Sequence, residues 1–137
     1  MRRSYTILYV DDDKDDLAVI SDAFEKYTEH LRIVHAHNGF EALQVLKLMK
    51  NQSSLPCLII LDINMPIMDG KQALVEIKKN PDFKKIPVVI FSTSDKPSDR
   101  QFAQGLGADY ITKPTKYLEM EALVSQFVQK CLIEEKV

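Results

Sequence analysis

Cys57-Leu58-Ile59-Ile60-Leu61 runs without a polar interruption straight into Asp62, and the reading of this stretch decides the fold. A strand with one face in water alternates apolar and polar residues, whereas a strand apolar throughout is covered on both faces, as in a parallel sheet. Thr6–Val10 and Val88–Phe91 have the same character, and Arg32–Ala36 and Asp109–Thr112 complete five candidate strands. Between them the apolar spacing changes to three and four. Leu17, Ile20, Phe24 and Tyr27 recur at helical steps, as do Leu43, Leu46 and Met49 after the Asn38-Gly39 breaker, and Ala73, Leu74 and Ile77 after Asp69-Gly70. Ser98–Gln104 and Lys116–Cys131 supply a fourth and a fifth helix. Strict alternation of strand and helix builds right-handed βαβ units with helices on both faces of one sheet, so the expected fold is a doubly wound α/β domain.

The composition agrees with one ordinary domain over residues 1–137, since 45% hydrophobic and 28% charged residues are close to globular averages. Eighteen basic against 20 acidic residues leave a net charge of −2, which offers nucleic acid or an anionic membrane no electrostatic attraction. The apolar runs fall far short of the roughly 20 residues needed to cross a bilayer, and the basic Met1–Tyr5 has no apolar segment behind it that would read as a secretory signal. A cytoplasmic location follows by elimination. Cys57 and Cys131 are far apart and have no CxxC or Cys/His spacing around them, so two reduced, buried thiols are expected.

In doubly wound sheets function collects at the carboxyl ends of the strands. Here the first strand ends in Asp11-Asp12-Asp13, the third in Asp62, the fourth in Ser92-Thr93 and the fifth in Lys113-Pro114. If the first and third strands are neighbours, Asp11, Asp12 and Asp62 converge, and like charges 4 Å apart repel by about 4 kcal/mol per pair at an effective dielectric of 20. A Mg2+ ion suits such a pocket, because it is a hard cation held by one or two carboxylates, waters and phosphate oxygens. A carboxylate can also attack phosphorus to give an aspartyl phosphate, a reaction that needs mainly positioning and charge neutralisation. Asp62 stands alone at its strand end, facing the acidic pair, and is the expected nucleophile; Lys113 and the Ser92 hydroxyl would neutralise and orient. Removing one carboxylate charge, by Asp11→Asn or Asp62→Asn, should relieve the metal-free fold.

The strings Leu8-Tyr9-Val10-Asp11-Asp12-Asp13, Leu61-Asp62-Ile63-Asn64-Met65-Pro66-Ile67-Met68-Asp69-Gly70, Phe91-Ser92-Thr93 and Tyr110-Ile111-Thr112-Lys113-Pro114 together closely resemble the receiver domains of two-component response regulators. The resemblance covers essentially the whole chain. It implies a flavodoxin-like (βα)5 fold with a five-stranded parallel sheet in the order 2-1-3-4-5. It makes Asp62 the phosphoacceptor and places Mg2+ on Asp11, Asp12, Asp62 and the backbone carbonyl of Asn64. Ser92 matches the switch hydroxyl, Lys113 the lysine that pairs with the phosphoryl group, and the peptide at Pro114 would be cis. Tyr110 matches the aromatic residue that swings inward on phosphorylation. The implied donor is a sensor histidine kinase or a histidine phosphotransfer protein. The protein would be a signalling switch that catalyses its own phosphorylation and dephosphorylation, not an enzyme acting on other substrates. No output domain is expected after the fifth helix, so readout would fall to a partner or to a homodimer formed through the fourth helix, fifth strand and fifth helix, where Tyr117 and Leu132 extend apolar character beyond the buried stripe. Asn51–Pro56 and Phe91-Ser92-Thr93-Ser94 are similar to the small regulators that serve phytochrome-type histidine kinases.

Other readings of the same residues are open to comparison. Acidic residues cap helix starts, and Asp13, Asp15 and Asp16 are read as caps of the first helix, while Asp11 and Asp12 by themselves read equally as caps or ligands. Asp11, Asp13 and Asp15 imitate an EF-hand loop but lack its sixth-position glycine and twelfth-position glutamate. His35 and His37 have no third ligand spaced to help them hold a metal. Gly39, Gly70, Gly105 and Gly107 make neither phosphate-binding glycine pattern; Gly105 and Gly107 are placed at the end of the fourth helix. A haloacid-dehalogenase-like phosphatase would need a second carboxylate two residues after its nucleophile, where this chain has Asn64.

Overall fold

Helices are laid over both faces of a single sheet in this computed structural model, which describes residues 5–27, 29 and 31–135, the side chains of 132–135 excepted. Met1–Ser4 and the side chain of Leu132 therefore lie outside the described residues. In chain order the elements are β1 (Tyr5–Val10), α1 (Lys14–Phe24) with a 3-10 turn (Glu25–Tyr27), β2 (Leu31–Ala36), α2 (Gly39–Asn51), β3 (Leu58–Leu61), α3 (Gly70–Lys79), β4 (Val88–Ser92), α4 (Pro97–Gly105), β5 (Asp109–Thr112) and α5 (Tyr117–Glu135). The five strands form one sheet in the order β2-β1-β3-β4-β5, every pair parallel. The doubly wound flavodoxin-like fold expected from the sequence is the fold observed.

The apolar run that decided the fold does what its composition requires. Successive side chains of a strand point to opposite faces, and in β3 Leu58 and Ile60 enter one core while Ile59 and Leu61 enter the other. One core lies under α2, α3 and α4 and contains Leu8, Val10, Leu46, Leu74, Ile77 and Phe83. Its counterpart under α1 and α5 contains Ile7, Tyr9, Phe24, Val124 and Phe127, where the Phe91 and Phe127 rings meet edge to face at 5.6 Å. Each fully buried aliphatic side chain contributes about 1.5–3 kcal/mol, and β3 buries all four of its residues.

Turn chemistry sets the element ends. Asp13 caps α1 by accepting from the amides of Asp15 and Asp16, Asn38 caps α2 by accepting from Glu41, and Asp69 forms a reciprocal capping box with Gln72 at α3. Past α4, Gly107 takes the left-handed conformation at φ +79 that ends the helix, as the sequence placed it.

Two expectations are corrected. Cys57 and Cys131 are not free thiols but a disulfide, with Cα atoms 5.3 Å apart. Spacing rules see 74 intervening steps; the crossover topology instead returns α5 along the sheet to the edge where β3 begins. The Pro114 peptide is trans, because no cis peptide occurs among the described residues; trans is favoured by about 0.5–1 kcal/mol before proline unless packing reverses it.

Candidate functional site

The central position of β1 and β3 brings the acidic residues together. Val10 pairs with Leu61, so the next residue of each strand, Asp11 and Asp62, leaves the carboxyl edge side by side. Carboxylate oxygens of Asp11, Asp12 and Asp62 all lie within 4.8 Å of one another; Asp11 and Asp62 are buried and Asp12 is exposed. Three carboxylates with one facing solvent form the donor set a hard divalent cation takes up, with room for water on the open side.

Lys113 leaves β5 and reaches across β4 into the same pocket, its side chain 5% exposed. Its ammonium donates to Asp11 Oδ2 at 2.7 Å, Asp16 Oδ2 at 2.6 Å and Asp62 Oδ2 at 3.0 Å. Burial would lower the pKa of this lysine, but its bonds to Asp11 and Asp16 and the charge of Asp62 outweigh burial and raise it, so the group stays charged. For Asp11 burial raises the carboxyl above the ordinary range, against the pull of Lys113 and of the Asp13 amide. The Tyr9 hydroxyl, raised in pKa by burial and by the Asp11 charge, donates to Asp11 Oδ2 at 3.1 Å.

Ser92 closes β4 with no exposed surface, and its Oγ accepts from the amide of Ser94 at 3.3 Å. The Lys113 amide donates to the Ser92 carbonyl at 2.8 Å, which fixes the lysine's starting point against the serine. Tyr110 is buried, donates its hydroxyl to the Ser94 carbonyl at 2.6 Å, and carries the Arg100 guanidinium 4.8 Å above its ring. Asn64 lies exposed two residues past Asp62. The strand ends thus gather Asp11, Asp12, Asp62, Ser92 and Lys113. His35 and His37 are in no metal-competent cluster among the described residues; His37 pairs with Glu41, and His35 packs edge-on against Tyr9.

The sequence misassigned Asp16 and missed the Tyr9 hydroxyl. Asp13 is the cap, whereas Asp16 turns its carboxylate onto Lys113. A caps-only reading fails because successive residues of a first helical turn point in different directions, and only the fold shows which one faces the pocket. Also unread was the Ser94 hydroxyl donating to Asp99 at 2.5 Å, with Lys71 of α3 on the same carboxylate at 2.5 Å. Those bonds from Lys71 and Ser94 hold the Asp99 carboxyl below the usual range.

A 2-1-3-4-5 parallel sheet with carboxylates and a charged lysine at its carboxyl edge defines the class of flavodoxin-like α/β signalling domains. Residues 7–125 match the family described as the response regulator receiver domain, and the chain belongs to that family. Among curated relatives, the response regulator Rcp1 of Synechocystis sp. is 33% identical over 121 residues, spanning 86% of this chain and 82% of the relative. Among solved structures, the phosphorylated cyanobacterial phytochrome response regulator RcpA superposes with a TM-score of 0.86 at 33% identity, over 94% of each chain. The Mn2+-bound form of Rcp1 gives a TM-score of 0.76 at 31% identity, over 88% of each chain. This is a receiver domain of the two-component type, a signalling switch of a family whose members work with sensor histidine kinases. No helix of the described residues is long and apolar enough to cross a membrane.

Proposed function

We propose that Asp62 accepts a phosphoryl group from a phosphohistidine in a Mg2+-dependent reaction, and that the modified domain signals through the α4-β5-α5 surface. The carrying observation is the convergence on Asp62 of a charged lysine and two further carboxylates from separate strand ends. A carboxylate oxygen of Asp62 attacks phosphorus, the P–N bond to the donor imidazole breaks with its electron pair going to nitrogen, and the product is an aspartyl phosphate. Asp11, Asp12, Asp62 and the carbonyl of Asn64 would hold Mg2+, which neutralises charge on the transferring oxygens. Lys113 gives a phosphoryl oxygen the N–H it now directs at Asp62. Ser92 turns its hydroxyl to another oxygen, and the inward Tyr110 fits the space beside it. Return of the phosphoryl group to water at the same site makes the domain its own phosphatase.

The likeness to RcpA and Rcp1 favours a phytochrome-type histidine kinase, or a histidine phosphotransfer protein, as donor. Within residues 1–137, read as one receiver unit, readout falls to a surface. Phe102 of α4 and Tyr117 and Leu118 of α5 are exposed apolar groups suited to a partner or a second copy, although Phe102 lies under Lys71 of α3 and Tyr117 beside Asp16 and Val19 of α1. Acetyl phosphate with Mg2+ should add one labile phosphoryl group by intact-mass spectrometry, and an adduct that survives Asp62→Asn would overturn the assignment. Sedimentation with and without beryllofluoride tests the surface; monomers in both states would count against a homodimer.

A further inference from the structure

The Lys113 ammonium has three N–H groups and no acceptor, and three carboxylates take them. Two of those carboxylates, Asp11 and Asp62, also belong to the cation-competent cluster; the third, Asp16, does not. Asp16 makes the shortest of the three bonds and reaches the lysine from the first turn of α1. Its own place is fixed by a closed circuit. Asp11 Oδ1 accepts from the Asp13 amide at 3.0 Å, Asp13 Oδ1 accepts from the Asp16 amide at 3.1 Å, and Lys113 joins Asp16 back to Asp11.

A divalent cation on Asp11, Asp12 and Asp62 would compete with Lys113 for two of the same carboxylates and repel its charge. Asp16, outside that cluster, keeps its hold while the others are drawn away. We propose that Asp16 is the positioning residue for Lys113, anchoring the ammonium at the pocket so that the N–H now on Asp62 passes to a phosphoryl oxygen. The inference rests on Asp62 as phosphoacceptor and adds a residue that the fold supplies from α1 rather than from a strand end.

The test uses the full chain as wild type, Asp16→Asn and Asp16→Glu at saturating Mg2+. Asparagine keeps the shape and removes the charge; glutamate keeps the charge. With acetyl phosphate, Asp16→Asn should slow phosphorylation about tenfold, because a displaced positioning group costs rate rather than binding, and Asp16→Glu should recover most of the loss. Independently of phosphorylation, the 15N-detected ammonium signal of Lys113 should be sharp in wild type with Mg2+, broadened by exchange with water in Asp16→Asn, and restored in Asp16→Glu. A purely structural role for Asp16 would lower the melting temperature without singling out that signal. The proposal is overturned if the signal stays sharp in Asp16→Asn, or if the phosphorylation rate stays within twofold of wild type. A wild-type chain that takes up no phosphoryl group would instead overturn the proposed function, leaving the ammonium signal to decide on Asp16.

Discussion

Asp11 and Asp62 bring the same charge into one pocket, yet their bonding separates them. Asp11 is 1% exposed and accepts from three donors, the Asp13 amide, the Tyr9 hydroxyl and the Lys113 ammonium. An asparagine there has one carboxamide oxygen and must turn its NH2 toward a donor, so Asp11→Asn should destabilise the metal-free protein by about 1–3 kcal/mol. Asp62 makes the longest of the lysine bonds, and Lys113 keeps Asp11 and Asp16 when it is lost. Asp62→Asn should therefore raise metal-free stability, by on the order of 1 kcal/mol of relieved repulsion. Millimolar Mg2+ should raise the wild-type melting temperature by binding the folded state, and should raise that of Asp62→Asn less. Thermal unfolding in chelator and in Mg2+ checks all four outcomes. The sequence expected both substitutions to relieve strain, since charge was legible and bonding was not. Ile67 was equally silent. It is 82% exposed and sits at φ +68, a left-handed conformation costly for a β-branched residue. Ile67→Gly should stabilise the domain by about 1 kcal/mol in urea unfolding, and a loss of stability would show that the side chain earns its strain elsewhere.

Helix α3 begins where the backbone passes closest to the candidate phosphoacceptor. A Cβ on Gly70 would stand 1.9 Å from the Asp62 carbonyl oxygen, while the Gly70 amide donates to the Ile63 carbonyl at 2.8 Å. The neighbouring atoms are backbone and cannot step aside as a side chain would. Gly70→Ala should cost at least about 2 kcal/mol by chemical denaturation. Because the displaced atoms belong to Asp62 itself, phosphorylation should fall even where the variant remains folded. In the sequence Asp69-Gly70 was readable only as a helix start. The central strands β1, β3 and β4 were legible almost to the residue because both of their faces are buried, and an apolar run needs no knowledge of partners to be recognised. Asp11, Asp12, Asp62, Ser92 and Lys113 were legible because each ends a strand. Asp16 and the Ser94–Asp99–Lys71 contacts were not, since a helix face or a loop is oriented only by what it packs against.

Across the whole molecule the disulfide changes the balance that the cores set. Closing a loop of this length removes freedom from the unfolded chain worth about 4 kcal/mol in the chain-entropy account. Reduction by a dithiol should therefore lower the melting temperature by roughly 10 °C or more; an unchanged transition would mean that the two sulfurs are unbonded in solution. The loop from Cys57 to Cys131 contains β3, β4 and β5, and with them Asp62, Ser92 and Lys113, whereas Asp11, Asp12 and Asp16 lie outside it. Under tension that division becomes mechanical. A load applied at the chain ends runs along the backbone to Cys57, crosses the sulfur bridge and leaves through Cys131, so β1, α1, β2 and α2 bear it while the enclosed segment is shunted out of the circuit. In a single-molecule pull the oxidised protein should extend about 250 Å less than the reduced one, the contour of the 74 shielded steps. The acidic half of the pocket would be torn from a half that carries no force.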